Sequence, residues 1–296
     1  MDYCFIKHAG DDRWLTVLVG RLYPSCALFS TPCTQKGADA HATACLASFF
    51  RSCGVNNMTC MSDQELALKT MIVDALEVCK GRGEWIGAVP GNSPVGESAS
   101  NGRAERAVQR FEDQIRTFLA ELEHRIGTSL TPSSPILAWL VEYVTVVLNK
   151  YHVNEATGVT AYEYLHGKAA DEERLAYFGE RVFFSIPKRC RSNLDLRWSI
   201  GVFLGTMMHS NEAWIGLPNG DVTRTASVAR LIPSQKWNAQ SVLGVTGTPA
   251  RPTRSGYDDS VIESYSNPHL MLDAEQKAIV DRDDPDDMDL PVMPTS

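Results

Sequence analysis

From Val108 to Ile126 the apolar residues Val108, Phe111, Ile115, Leu119, Leu122 and Ile126 recur three or four apart, with charged residues between them. That spacing predicts one long amphipathic helix with a single buried stripe, so the chain must supply a second layer to cover it. Ser100-Asn101-Gly102-Arg103-Ala104-Glu105-Arg106-Ala107 opens the helix. Glu105 lies three residues before Val108, at the rim of the stripe, where a carboxylate can serve a site without full desolvation. The preceding stretch, Gly91 to Ser100, carries Pro, Gly and Ser and reads as a mobile loop.

Ahead of that loop the pattern alternates. Tyr3–Ile6, Trp14–Val19 and Ala27–Ser30 read as strands of an antiparallel meander. Ala38–Cys53 reads as a helix stopped by Gly54, and Asn57–Met61 as a strand delivering Ser62-Asp63-Gln64-Glu65. A second helix carries Leu68, Ile72, Leu76 and Cys79, and Glu84–Val89 is a further strand. This order predicts an α/β fold, a mixed sheet with helices on its faces. Asp2, Asp63 and Glu105 then fall on the first strand, at the end of the fourth, and on the helix after the loop. Three converging carboxylates suit two divalent cations, Mg²⁺ or Mn²⁺, and phosphoryl transfer on nucleic acid.

Pro132–Tyr151 reads as another helix and Thr160–Leu165 as a short one. From Phe178 the period changes to short strands: Arg181–Ile186, Ile200–Gly205, Ala213–Gly216 and Val222–Arg224, with a hairpin signal at Pro218-Asn219-Gly220-Asp221. A small β-barrel is predicted there. Beyond Lys236 the chain is Gly-, Thr- and Pro-rich, and from Tyr257 it carries eleven Asp and Glu against two Lys and Arg. The expectation is a disordered acidic tail. The remaining residues hold 26 basic against 25 acidic groups, a neutral body on which local patches decide nucleic-acid binding.

The eight cysteines form no Cys-x-x-Cys pair and no His/Cys grouping with zinc spacing, so they read as small apolar residues of a reduced, intracellular protein. No apolar run reaches the roughly 20 residues of a membrane span.

Ser62-Asp63-Gln64-Glu65 and Ser100-Asn101-Gly102-Arg103-Ala104-Glu105-Arg106-Ala107 together resemble the integrase core of copia-type retrotransposons and retroviruses. Downstream pieces stand in the order of copia-type polyproteins: Trp139–Tyr151, Thr160–Gly167, Phe178-Gly179-Glu180-Arg181-Val182, Leu194-Asp195-Leu196-Arg197 and Gly201-Val202-Phe203-Leu204-Gly205. The resemblance spans roughly residues 2–231. It implies a ribonuclease H-like core over 1–127, N-terminally truncated, a helical extension over 128–175, an SH3-like barrel over 176–235, and a linker with acidic tail over 236–296. It also implies Mg²⁺-dependent 3′-processing and strand transfer on double-stranded DNA, a homo-oligomer when active, a nuclear location, and no small-molecule cofactor. By the same match Asp2, Asp63 and Glu105 are the catalytic, metal-holding acids.

Two departures from the family pattern stand out. Only Met1 precedes Asp2, with no zinc segment upstream, and 41 residues separate Asp63 from Glu105, more than retroviral members usually show. The sequence thus also fits an inactive relic that only binds nucleic acid or protein, or a ribonuclease H-type nuclease with the same acids.

Each motif has a plainer reading as well. Asp2 can be a terminal residue, Asp63 a helix cap and Glu105 a solvated helix acid. Arg103, Arg106 and Arg110 form a basic stripe which, with Asn101 and Gly102, is a candidate phosphate contact. The stripe can equally be a solvated face paired with Glu112 and Asp113. Lys188, Arg189 and Arg191 form a second candidate contact. His152 and His166 read as packing or surface histidines, and Trp139, Trp198 and Trp214 as core.

Overall fold

The structure, a computed structural model, describes residues 1–7, 12, 14–54, 57–62, 65–81, 87–92, 98–170, 176–186, 192, 194, 196–208, 210 and 212–253. The acidic tail, Asp63, Lys188, Arg189 and Arg191 lie outside the described residues, as do the side chains of Asn101 and Arg103.

The first half mixes strands and helices as predicted, but among the described residues its strands form two sheets, an antiparallel trio and a parallel pair, rather than one mixed sheet. Strands β1 (Asp2–Lys7), β2 (Trp14–Arg21) and β3 (Leu28–Cys33) form an antiparallel meander, with Asp2 opposite Val19 and Arg21 opposite Leu28. Helix α1 (Ala40–Ser52) follows, then β4 (Asn57–Ser62), α2 (Leu66–Gly81) and β5 (Gly87–Asn92), with β4 and β5 parallel. A hydrogen bond from the Met1 amino group to the Met61 carbonyl, 2.8 Å, ties the start of β1 to the end of β4.

Period-2 alternation divides the meander between two cores. Tyr3, Leu18, Phe29 and Cys33 pack with Leu46, Phe50, Leu68 and Ile72 of α1 and α2. Cys4, Val17, Val19 and Leu28 pack on the opposite face, with α3 (Ser98–Ile126) and α4 (Pro135–Tyr151). On α3 the predicted stripe is the buried one. Phe111, Ile115 and Leu122 are in the core, with Val108, Leu119 and Ile126 packed at its edge.

Local chemistry sets the helix ends. The Asp39 carboxylate caps α1 by accepting from the Ala42 amide, and also accepts from the amide and hydroxyl of Thr34. Thr160 caps α5 (Ala161–His166), and Gly167 closes it in the left-handed conformation at φ 69°.

Strands β6 (Arg181–Ser185), β7 (Trp198–Thr206), β8 (Ala213–Gly216), β9 (Val222–Thr225) and β10 (Val228–Arg230) make one antiparallel sheet in the order β10-β6-β7-β8-β9. One face joins the α4 core through Val182, Phe184, Val202 and Ile215. The other encloses a small cluster of Phe183, Trp198, Ile200, Ala229 and Leu231.

Three further expectations need correction. β5 runs on through Asn92 and α3 begins at Ser98, so both ends of the expected Gly91–Ser100 loop belong to these elements, and residues 93–97 lie outside the described residues. The linker expected from residue 236 is packed chain as far as residue 253. There α6 (Ala239–Leu243) buries Val242, Trp139 donates to the Gly247 carbonyl at 2.8 Å, and Val222 donates to Pro252 at 2.8 Å. Strand β10 was not foreseen, because three residues are too few to show an alternation.

Candidate active site and nucleic-acid interface

Asp2 sits at the first position of β1, half-buried. It shares strand parity with Cys4 and stands opposite Val19, and both of those lie in the core covered by α3 and α4. Register therefore puts the Asp2 side chain on the α3 face of the sheet. Its Oδ1 accepts a 2.7 Å hydrogen bond from the Tyr3 amide, which restrains its orientation.

Asp63 lies outside the described residues; its neighbour Ser62 is buried and ends β4. The Met1–Met61 hydrogen bond joins β1 and β4 one residue before Asp2 and two before Asp63 in sequence. Among the described residues no three His, Cys, Asp or Glu side chains gather as a metal-holding group.

Glu105 is the eighth residue of α3, just over two turns in, and is exposed. Helix α3 packs across β1 and β2. Its first half lies over Asp2's end of the sheet: Ala107 and Arg110 share a shallow pocket with Arg21 and Leu28. Two turns after Glu105, Glu112 lies near Cys4. Burial, then the nearby Glu112 and Asp2 carboxylates, push the Cys4 thiol up to about 12.

The basic stripe is only partly as expected. Arg106 is exposed, and its Nε donates to the Gly102 carbonyl at 2.9 Å. Arg110 bonds His152 Nε2 at 2.8 Å through Nη1. Glu112 and Asp113 pair with Arg116 instead, so among the described residues they do not neutralise Arg106 or Arg110.

Sequence reading passed over Arg21 and placed no role on His152. Arg21 ends β2 on the α3 face, donates to Asn154 Oδ1 at 2.8 Å, and lies over the Tyr23 ring. Burial, then Arg110 and Arg21, hold the His152 imidazole below the usual histidine range. Among the described residues neither Arg21 nor Arg110 is in an ion pair with a carboxylate. A lone basic residue at a strand end gives no signal in sequence; only register carries it to the same flank as Arg110.

No protein-family model matches the chain, and no curated protein matches it. Among solved structures it is similar to a chain of the simian T-cell lymphotropic virus intasome in complex with PP2A regulatory subunit B56 gamma. That likeness has TM-score 0.39 and 12% identity, over 78% of this chain and 77% of the other. It is also similar to the HTLV-2 integrase catalytic core domain in complex with magnesium, with TM-score 0.37 and 14% identity over 56% of this chain and 93% of the other. The BIV integrase catalytic core domain gives TM-score 0.36 and 15% identity, over 55% and 90%. At such identities the reading of this chain rests on its own residues.

Proposed function

We propose that this chain is a retroelement-derived integrase-type polynucleotidyl transferase that carries out 3′-processing and strand transfer on double-stranded DNA. Asp2, Asp63 and Glu105 are its metal-holding acids. One observation carries the reading. The strand that begins with Asp2 is hydrogen-bonded to the end of the strand that precedes Asp63, and Asp2 faces the layer formed by the Glu105 helix.

The donor set fits the metal. All three candidates are carboxylates, and Asp2 and Glu105 are open enough to solvent for a hydrated cation to reach. Bound there, two Mg²⁺ or Mn²⁺ ions would activate the attacking oxygen and stabilise the leaving one. The rest falls to the chain's own groups. The Tyr3 amide holds the Asp2 carboxylate in place, and Arg106 and Arg110 on the exposed side of α3 position the DNA backbone. Asn101, Gly102 and Arg103 at the start of α3 extend that contact, as do Lys188, Arg189 and Arg191.

The five-stranded sheet is the SH3-like module of this reading, supported by its strand order and by the small apolar cluster it encloses. The domain division is the one read from the sequence, with the packed segment to residue 253 added to the β module. Active protein assembles as a homo-oligomer and works in the nucleus.

The test is a strand-transfer assay with purified full chain, labelled DNA duplex and Mg²⁺. Joined products that vanish in Asp2→Asn, Asp63→Asn and Glu105→Gln support the proposal. Products that survive Asp63→Asn overturn it, cleavage without joining points to a nuclease, and DNA binding without chemistry points to an inactive relic.

A further inference from the structure

A cleft of about 350 Å³ opens between α1, α4, α5 and the β7–β8 hairpin. It is independent of the proposed DNA chemistry. Its volume lies within the range of small-molecule sites, and most of its wall is apolar. Aromatic rings from five elements line it: Phe29 of β3, Phe49 of α1, Trp139 and Tyr143 of α4, Tyr162 of α5 and Trp214 of β8. Trp139 and Trp214 lie against each other, ring centroids 5.1 Å apart, with the Trp139 indole N–H anchored on the Gly247 carbonyl.

The same wall carries one carboxyl group, Glu142. Among the described residues no cation pairs with it. Burial pushes the Glu142 carboxyl up to about 7, and the neighbouring Thr31 hydroxyl works against that rise. A carboxyl on an apolar wall without a counter-cation is costly unless something answers its charge.

The other reactive groups nearby do not supply the answer. Cys45 lies 3.5 Å from His41 Nε2, but burial, then the Glu142 carboxyl, push its thiol up to about 12, so it is no nucleophile. His41 is held below the usual histidine range by burial, with Asp39 opposing. No three of these groups form a metal site.

We propose that this cleft binds a small organic ammonium, its apolar body against the aromatic walls and its charged nitrogen on Glu142. Aromatic faces attract cations, and the half-buried Glu142 carboxylate completes the match. An apolar amine meets both requirements, whereas a neutral isostere meets only the first. Because β3 and α1 form one wall and β7, β8 and Pro249 the other, the ligand braces the α/β layer against the five-stranded sheet.

The titratable groups that line the cleft with Glu142 bear on its pH response. They are His41 and Cys45 from α1, Tyr143 from α4, and Tyr162 and His166 from α5. Lys150, two turns along α4, donates to the Met207 carbonyl and lies over Tyr162 at the cleft's far end. As pH rises from 6 to 8 Glu142 ionises, so ammonium affinity rises over that interval. The Gln variant separates this response from those of the histidines.

The experiment is a ligand-observed NMR titration of the whole chain with 3-phenylpropylammonium and with its neutral isostere 3-phenylpropan-1-ol. The expected result at pH 8 is an amine preference of about tenfold, smaller at pH 6 and absent at both pH values in Glu142→Gln. Leu165→Trp, which fills the cleft from α5, should abolish binding of both probes while circular dichroism stays unchanged; it tests the site even where Glu142→Gln fails to fold. Equal binding of the two probes at pH 8, an amine preference unchanged in Glu142→Gln, or binding unchanged in Leu165→Trp overturns the proposal.

Discussion

The side-chain amide of Asn149 hydrogen-bonds both backbone groups of Leu28: its Oδ1 accepts from the Leu28 N–H and its Nδ2 donates to the Leu28 C=O, each at 2.7 Å. Leu28 opens β3, the outer strand of the meander, where the side away from β2 has no strand partner among the described residues. One side chain from α4 does there what a neighbouring strand would do, and it closes the edge to pairing with other chains.

Asn149→Leu should therefore cost about 2–4 kcal/mol, because it leaves a buried donor and a buried acceptor unpaired. A chain of this size loses about 2–4 °C of Tm per kcal/mol, so calorimetry should show a drop of about 5–15 °C. Tm within a degree of wild type would remove the edge-closing role.

Glu180 is fully buried at the head of β6. It accepts from Arg230 Nε and Nη2 at 2.9 and 2.7 Å and from the Tyr177 amide at 3.0 Å, and Lys236 lies 3.2 Å away. Burial would raise this carboxyl, but the Arg230 and Tyr177 hydrogen bonds outweigh burial and hold it below the usual carboxylate range. Glu180→Gln leaves Arg230 and Lys236 without their anion and should cost about 3 kcal/mol, the low end for a buried pair because Arg230 is a third exposed. A depressed carboxylate adds stability above its unfolded pKa near 4.5 and loses it as pH falls through the folded value. The difference between wild type and variant should therefore be full at pH 6 and shrink below pH 4.5, as chemical denaturation across that range can measure.

Gly179 has φ +78°, and a Cβ there would sit 2.4 Å from Leu122 Cδ1 on α3. Gly179→Ala combines a left-handed backbone with an overpacked contact and should cost about 2–4 kcal/mol. Pairing it with Leu122→Ala should recover part of that loss in a double-mutant cycle, since the second change removes the clash. Strict additivity would show that the clash is not the cause.

Burial pushes the thiols of Cys4, Cys33 and Cys45 up to about 12 and those of Cys53 and Cys60 up to about 11. At pH 7.5 these five should resist iodoacetamide in the folded chain and react once denaturant is added, as peptide mass spectrometry can read residue by residue. Labelling of any of them at the unfolded rate in the native protein would contradict the burial assigned to it.

Removing Arg110 takes away one of the two guanidiniums that, after burial, hold His152 down. Arg110→Leu should raise the His152 pKa in an NMR titration. On the proposed function the same variant weakens duplex DNA binding with little sequence preference and lowers the slope of log affinity against log salt by about 1. An unchanged slope would take Arg110 out of the DNA contact.

Within single elements the sequence reached far. The α3 stripe from Val108 to Ile126 and the order of the elements through β9 follow from residue spacing, since each element partitions its own side chains between core and water. The candidate acids are read from motif positions and the basic stripe from a spacing on one helix, and the proposed strand-transfer assay is what tests them. What sequence could not contain was the pairing of distant parts. The Met1–Met61 tie, the face taken by Asp2, the Asn149–Leu28 contact and the approach of Arg21 to Arg110 join residues tens to more than a hundred positions apart. Glu142 shows the limit most plainly: on α4 it is one acid in an apolar run, and it becomes a site only where α1, α5 and the second sheet close around it. Local periodicity records which side of an element is dry. Which element does the drying, and in what register, is settled by the packing of whole layers.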